Sequence, residues 1–264
     1  MLYYIYETIF ITRSEMMDTQ KHIYNTLIIG CGYFSVGYAV SDGNSMICEE
    51  SQICDTRFYL PLKSFRSNPY SPKTAEGARL LDVFTRLSLI EGESLNTCGF
   101  ECGFCKYITE TDANILLKCR VVGISEENGV YDAKIQTNEG LSHLYAKKIL
   151  RAFSEETNKR FTVLFTAEDI VSVSAELKDA FPGATLEPAF YRGRYALHIT
   201  WEDYDENTVK LAVYNTWNEK NIKAKIIYMA PAFAVDSQNP CSDDFYDNPI
   251  KAFEAGYFYA KGDK

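Results

Sequence analysis

Gly30 and Gly32 stand two residues apart at the end of a short apolar run, Leu27-Ile28-Ile29. Glu49 and Glu50 close a second apolar run, Met46-Ile47-Cys48. Residues of these types at this spacing can hold a phosphorylated nucleoside. A glycine turn that opens a helix offers free backbone N–H groups and the positive end of the helix dipole to a diphosphate. A carboxylate at the end of the following strand accepts hydrogen bonds from a ribose. Gly30 permits the tight turn, Gly32 lets the backbone approach the diphosphate, and Ser35, where a third glycine is usual, is small enough for close helix–strand packing. Tyr33 and Phe34 stand between them and are bulky, and Tyr33 could crowd a diphosphate. Glu49 fits the ribose role by position, with Glu50 as its neighbouring alternative. Two readings stay open: a dinucleotide-binding site, or an α/β domain that keeps this order of parts and holds no cofactor.

The elements that must position these residues follow from the apolar patterning. Residues 25–50 read as strand, glycine turn, helix, strand and acid. Residues 51–75 are rich in Ser, Pro, Asn and Arg and read as a loop that covers a ligand. An amphipathic helix is expected over 76–89 from Ala78, Leu81, Val83, Phe84 and Leu87, with a weaker helical run over 100–109. Strands are expected over 115–117 and 120–125. Asn128-Gly129 is a hairpin signal because both turn positions tolerate positive φ, so 130–137 is the returning strand. A third arm follows over 141–146, and 147–152 reads as a separate strand rejoining the main sheet. Beyond residue 159 the pattern is a strand over 160–167, a helix over 167–180 and antiparallel strands over 184–191, 194–201, 208–216 and 222–230. At the end of the chain, Asn248 closes a loop, Pro249 takes the first helical position and a helix of small residues follows.

The order from the glycine turn to ANILLKCRVVGISEENGVYDAKIQTNEGLSHLYAKKILRA resembles the FAD-dependent oxidoreductases of the two-dinucleotide-binding-domain type. The resemblance covers residues 26–152. It departs where that family commonly has Ala-Thr-Gly and this chain has Phe153-Ser154-Glu155. It implies an α/β fold, with a FAD/NAD(P)-binding Rossmann-like parallel sheet, an inserted antiparallel meander and a smaller α+β domain. The binding domain would take residues 21–152 and 236–264, the substrate-side domain 153–235, and residues 1–20 would be an extension. The implied function is FAD-dependent oxidation or reduction of a small organic substrate. Gly30, Gly32, Tyr33, Phe34, Ser35, Glu49 and Glu50 would lie about the adenosine diphosphate half of FAD, and Asn248 and Pro249 would approach the isoalloxazine. A non-catalytic, cofactor-less binding module of the same fold is the alternative. No catalytic base is assigned.

Cys98, Cys102 and Cys105 have the spacing C-x3-C-x2-C. The triplet is similar to the cluster-binding loop of radical S-adenosylmethionine enzymes, and three thiolates on a glycine-containing loop suit iron–sulfur or zinc. An iron–sulfur protein is therefore a second alternative. Against it, free cysteine packs as a small hydrophobe, the surrounding elements belong to a different fold, and no metal ligands are assigned. His198, on the expected strand 194–201, reads as a paired structural histidine or an acid–base group beside a flavin. Arg192 and Arg194 flank a turn and could hold a carboxylate or stand in solvent.

A net charge of −9 and a pI near 5.0 disfavour a nucleic-acid or anionic-membrane surface. No segment has the roughly 18 apolar residues that span a bilayer. The start of the chain lacks the basic residues and cleavage site of a secretory signal. Eight cysteines scattered through 264 residues, with no such signal, point to a reducing, cytoplasmic setting. The expected partner is a small-molecule substrate, without nucleic acid or membrane; oligomeric state is not legible.

Overall fold

The computed structural model describes residues 22–52, 54, 70–91, 94–96, 99–153, 159–189, 193–201, 205–234 and 238–262. Strand β1 (Ile23–Ile29) enters a glycine turn and helix α1 (Tyr33–Asp42), and β2 (Ser45–Glu49) returns beside β1. Helix α2 (Ala75–Arg86), the short strands β3 (Ile90–Glu91) and β4 (Ser94–Leu95), and α3 (Phe100–Thr109) lead to β5 (Asn114–Leu117). Then come β6 (Arg120–Glu127), β7 (Val130–Thr137) and the long β8 (Gly140–Arg151).

These strands form a six-stranded sheet in the order β5-β2-β1-β8-β7-β6. β5, β2, β1 and β8 are parallel, while β8, β7 and β6 are antiparallel. The hairpin at Asn128-Gly129 has φ of 53° and 77°, the left-handed pair its sequence predicts. One expectation is corrected. The third arm of the meander and the strand rejoining the parallel sheet are a single strand, β8, of 12 residues. Its Ala146–Leu141 half pairs with β7, and its Tyr145–Arg151 half pairs with β1. No glycine or proline interrupts residues 141–151, so the pleat runs on from one partner to the other.

The second sheet has the order β10-β11-β9-β12, with β13 also pairing β9. Its strands are β9 (Lys159–Thr166), β10 (Thr185–Pro188), β11 (Arg194–Trp201), β12 (Lys225–Met229) and β13 (Phe233–Ala234). Helices α4 (Ile170–Ala180) and α5 (Glu206–Glu219) cover one face. The second correction falls here, since residues 208–216 are helical and not a strand. Asp205 caps α5 by accepting from the Thr208 N–H at 2.9 Å. Val209, Val213 and Trp217, four residues apart, put a 3.6-period stripe onto Phe165 and its neighbours. The β-branched residues read as alternation, but the cap and the stripe decide the outcome.

A third correction concerns α2. Its buried face is Leu80, Val83 and Phe84, while Leu87 is 40% exposed. Helix α6 (Pro249–Lys261) closes the fold against α1. A Cβ at Gly37 would run into the Phe253 carbonyl, and one at Gly256 into the Phe34 carbonyl. The two helices therefore cross backbone to backbone, a contact only glycine allows. One core lies between the first sheet and α1, α2, α3 and α6. A second fills the space under α4 and α5, where Trp201 and Trp217 sit. A third lies on the opposite face of the first sheet.

Candidate functional site

The parallel strands β1, β2 and β8 end along one edge, where an open α/β sheet places its ligand crevice. A cavity of about 640 Å³ lies there, lined by Gly30, Glu49, Glu50, Arg120, Arg151 and Phe153 among others. Gly30 carries φ of +100°, and a Cβ on it would meet the Ala152 carbonyl oxygen at 3.3 Å. The position therefore excludes other residues on conformation and on space. The Ser35 hydroxyl donates to the Gly30 carbonyl at 2.8 Å and closes the turn. Gly32 is the N-cap of α1 with extended φ, so what it contributes is clearance.

Tyr33 and Phe34 open α1, and both side chains are fully buried. The Tyr33 ring stacks on Phe104 with centroids 4.0 Å apart, and the Phe34 ring meets Tyr259 edge-on at 5.7 Å. Their bulk is spent in the core beneath the helix, which corrects the expectation of crowding. Their backbone N–H groups point the other way. Tyr33 N–H donates to Asp243 Oδ2 at 2.7 Å, and Phe34 N–H donates to Asp243 Oδ1 at 2.9 Å. Asp243 lies in a short 3-10 turn, Asp243–Phe245, just before α6, and is 3% exposed.

Glu49 is also turned toward the backbone. Its Oε2 accepts from the Cys31 N–H at 2.7 Å and its Oε1 from the Ser51 N–H at 2.8 Å. Glu50 is exposed, 3.5 Å from the Arg120 guanidinium. The carboxylates of Glu49 and Asp243 thus flank the glycine turn from two sides. Asp243 carried no local sign in the sequence, because its partners are 209 and 210 residues away. The one available hint was its place in Ser242-Asp243-Asp244, shortly before the Asn248-Pro249 helix start.

Asn248 caps α6 by accepting from the Ile250 and Lys251 N–H groups at 2.8 and 3.2 Å, and Pro249 is its buried first residue. Neither lines the cavity. Cys48 and Cys119 do, and their thiols hydrogen-bond to each other; that bond and burial hold the Cys48 thiol far above the usual range. Cys54 hydrogen-bonds to Cys105 and Cys31. The Cys105 bond lowers its pKa, but the Cys31 bond and burial outweigh it and push the thiol up. At ordinary pH, Cys48 and Cys54 are therefore not thiolates.

Cys102 and Cys105 lie on α3, while Cys98 is outside the described residues. Among the described residues no three His, Cys, Asp or Glu side chains converge as metal ligands. His198 is 5% exposed, with Nδ1 2.9 Å from the Thr162 hydroxyl and Nε2 3.7 Å from the Glu187 carboxylate. It is a paired histidine within the second sheet. Arg194 begins β11, and Arg192 is outside the described residues.

No family model matches the chain and no curated protein matches it by sequence. Solved structures do match by shape. The chain superposes on p-nitrophenol 4-monooxygenase PnpA from Pseudomonas putida DLL-E4 with a TM-score of 0.55 at 10% identity, covering 93% of this chain and 82% of that one. A geranylgeranyl bacteriochlorophyll reductase-like protein from Thermoplasma acidophilum matches with a TM-score of 0.52 at 11% identity, over 92% and 78% of the two chains. Aklavinone-11 hydroxylase, solved in a ternary complex with FAD and aklavinone, matches with a TM-score of 0.52 at 10% identity, over 92% of this chain and 63% of that one. The glycine turn, the acid-ended second strand, the meander and the second sheet thus share one known architecture: this chain has the fold of the FAD-dependent oxidoreductases.

Proposed function

We propose that the chain is a FAD-dependent oxidoreductase acting on a small organic substrate, with the adenosine end of FAD in the crevice at the ends of β1, β2 and β8. The observation that carries this reading is the crevice itself: a cavity of about 640 Å³ bounded by the glycine turn, Glu49 and the end of β8. The fit is partial. The adenosine end has space and a carboxylate, whereas the seat for the diphosphate on α1 holds Asp243. A bound flavin would supply hydride or electron transfer. Gly30 and Gly32 would set the backbone's approach, Ser35 and Tyr33–Phe34 would shape the first turn of α1, and Glu49, with Glu50 beside it, would face the ribose. Asn248 and Pro249 would carry the α6 N-terminus toward the isoalloxazine.

In this reading residues 21–152 with 236–264 form the binding domain, and 153–235 the substrate-side domain. The seven free cysteines among the described residues support a reducing, cytoplasmic setting. The test is titration of the purified protein with FAD, followed by absorbance and flavin fluorescence. Saturable binding near one flavin per chain, displaced by adenosine, is expected. Absence of saturable binding up to about 1 mM, the weak end of specific affinity, overturns the proposal. The carboxylate on α1 favours the second reading, a cofactor-less module of the same fold, which would bind adenosine and not FAD.

A further inference from the structure

We propose that Asp243 is a built-in anion occupying the diphosphate seat of α1, so that a dinucleotide held in the crevice can seat its diphosphate on α1 only by displacing this carboxylate. The inference rests on the reading of the crevice as an adenosine-nucleotide site.

The first N–H groups of a helix are its free donors, and with the helix dipole they select an anion. Here the anion is the protein's own. Both oxygens of Asp243 are engaged, one by the Tyr33 N–H at 2.7 Å and one by the Phe34 N–H at 2.9 Å. The clearance provided by Gly32 is used by the same group, because a Cβ there would run into the Asp243 carboxylate. Two residues before Tyr33, the Cys31 N–H is taken by Glu49.

The segment that delivers Asp243 is anchored. Asn239 Nδ2 donates to the carbonyls of Phe153 at 2.9 Å and Arg151 at 3.3 Å, at the end of β8. The Tyr246 hydroxyl donates to the Pro240 carbonyl at 2.7 Å. A diphosphate arriving at this turn would meet two carboxylates and no open donor at Cys31, Tyr33 or Phe34. Adenosine, which needs none of these donors, has no such competitor. A phosphate-free nucleoside is therefore the favoured ligand class of the resting site, and Asp243 sets the affinity for anything that carries a diphosphate.

The experiment is calorimetric titration of the whole chain with adenosine, ADP and FAD, in the parent and in the Asp243→Asn and Asp243→Ser variants, with thermal melts reporting folding. In the parent, ADP is expected to bind no tighter than adenosine. In both variants, ADP and FAD should tighten at least about tenfold while adenosine is unchanged. A residue that served as a cofactor ligand would shift FAD affinity the other way. Parent protein that prefers ADP over adenosine by about tenfold or more, or variants that bind FAD equally or more weakly, overturns the proposal and leaves the site reading standing. Failure of all three ligands in every form overturns both. If the variants do not fold, the parent's ADP-to-adenosine ratio decides.

Discussion

Glu49 and Glu50 are neighbours with opposite surroundings, and that contrast can be measured. Glu49 is 8% exposed and holds two backbone N–H groups, those of Cys31 and Ser51, while Glu50 stands in solvent. A glutamine at 49 keeps one acceptor and turns its NH2 against the other N–H, leaving a buried donor without a partner. Such a loss costs about 1–3 kcal/mol. The Glu49→Gln melting temperature should therefore fall by several degrees, whereas Glu50→Gln should leave it unchanged. Equal effects would show that the turn does not depend on this carboxylate. At this scale the sequence was most readable where chemistry is local. Gly30, Gly32, Ser35 and Glu49 announce themselves by spacing within 20 residues. Asp243 does not, because only the folded chain brings it to the same turn.

Among the elements, the crossing of α1 and α6 is the contact with least tolerance. Gly37 and Gly256 let the two backbones touch, and a Cβ at either would enter a carbonyl of the facing helix. Gly256→Ala forces the helices apart. The overpacking cost is typically about 1–3 kcal/mol, partly offset by alanine's higher helix propensity of about 1 kcal/mol. A lower urea midpoint is expected, and an unchanged or higher midpoint would mean the helices separate freely. The same helix steers α2: Glu254, 1% exposed, accepts from the Lys73 and Thr74 N–H groups at 2.7 and 2.6 Å and from the Tyr70 hydroxyl at 2.7 Å. Burial and this carboxylate raise the Tyr70 pKa. The bounds of β7 and the start of α6 are legible because the Asn128-Gly129 turn and the Asn248-Pro249 cap mark them. Residues 208–216 were misread because β-branched Thr208, Val209 and Val213 imitate a strand until the Asp205 cap and the Trp217 contact are seen. The continuity of β8 was missed because a strand that changes partner leaves no mark in its own residues.

For the whole molecule, the architecture was legible and the occupancy of its crevice was not. Element order is written along the chain, but the seat on α1 is settled by residues from both ends of it. The shape match at 10–11% identity has the same meaning: it gives the fold, and a fold does not fix what binds in it. Burial of thiols is a global property with a pH consequence. Cys48 is raised by its hydrogen bond to Cys119 and by burial. Cys54 is raised by its bond to Cys31 and by burial, against the lowering bond from Cys105. Unfolding returns both to the ordinary value of about 8.5. A group whose folded pKa lies above its unfolded value contributes stability fully below the unfolded value and loses it as pH rises. The melting temperature should therefore hold from neutral pH to about 8 and fall as pH rises from about 9 to 11, the range above the free-thiol pKa. The Cys48→Ala/Cys54→Ala double variant, less stable at neutral pH, should show a shallower fall over the same range. An equal slope in parent and variant would assign the alkaline loss to tyrosines, among which Tyr107 is also raised by burial and by Glu76.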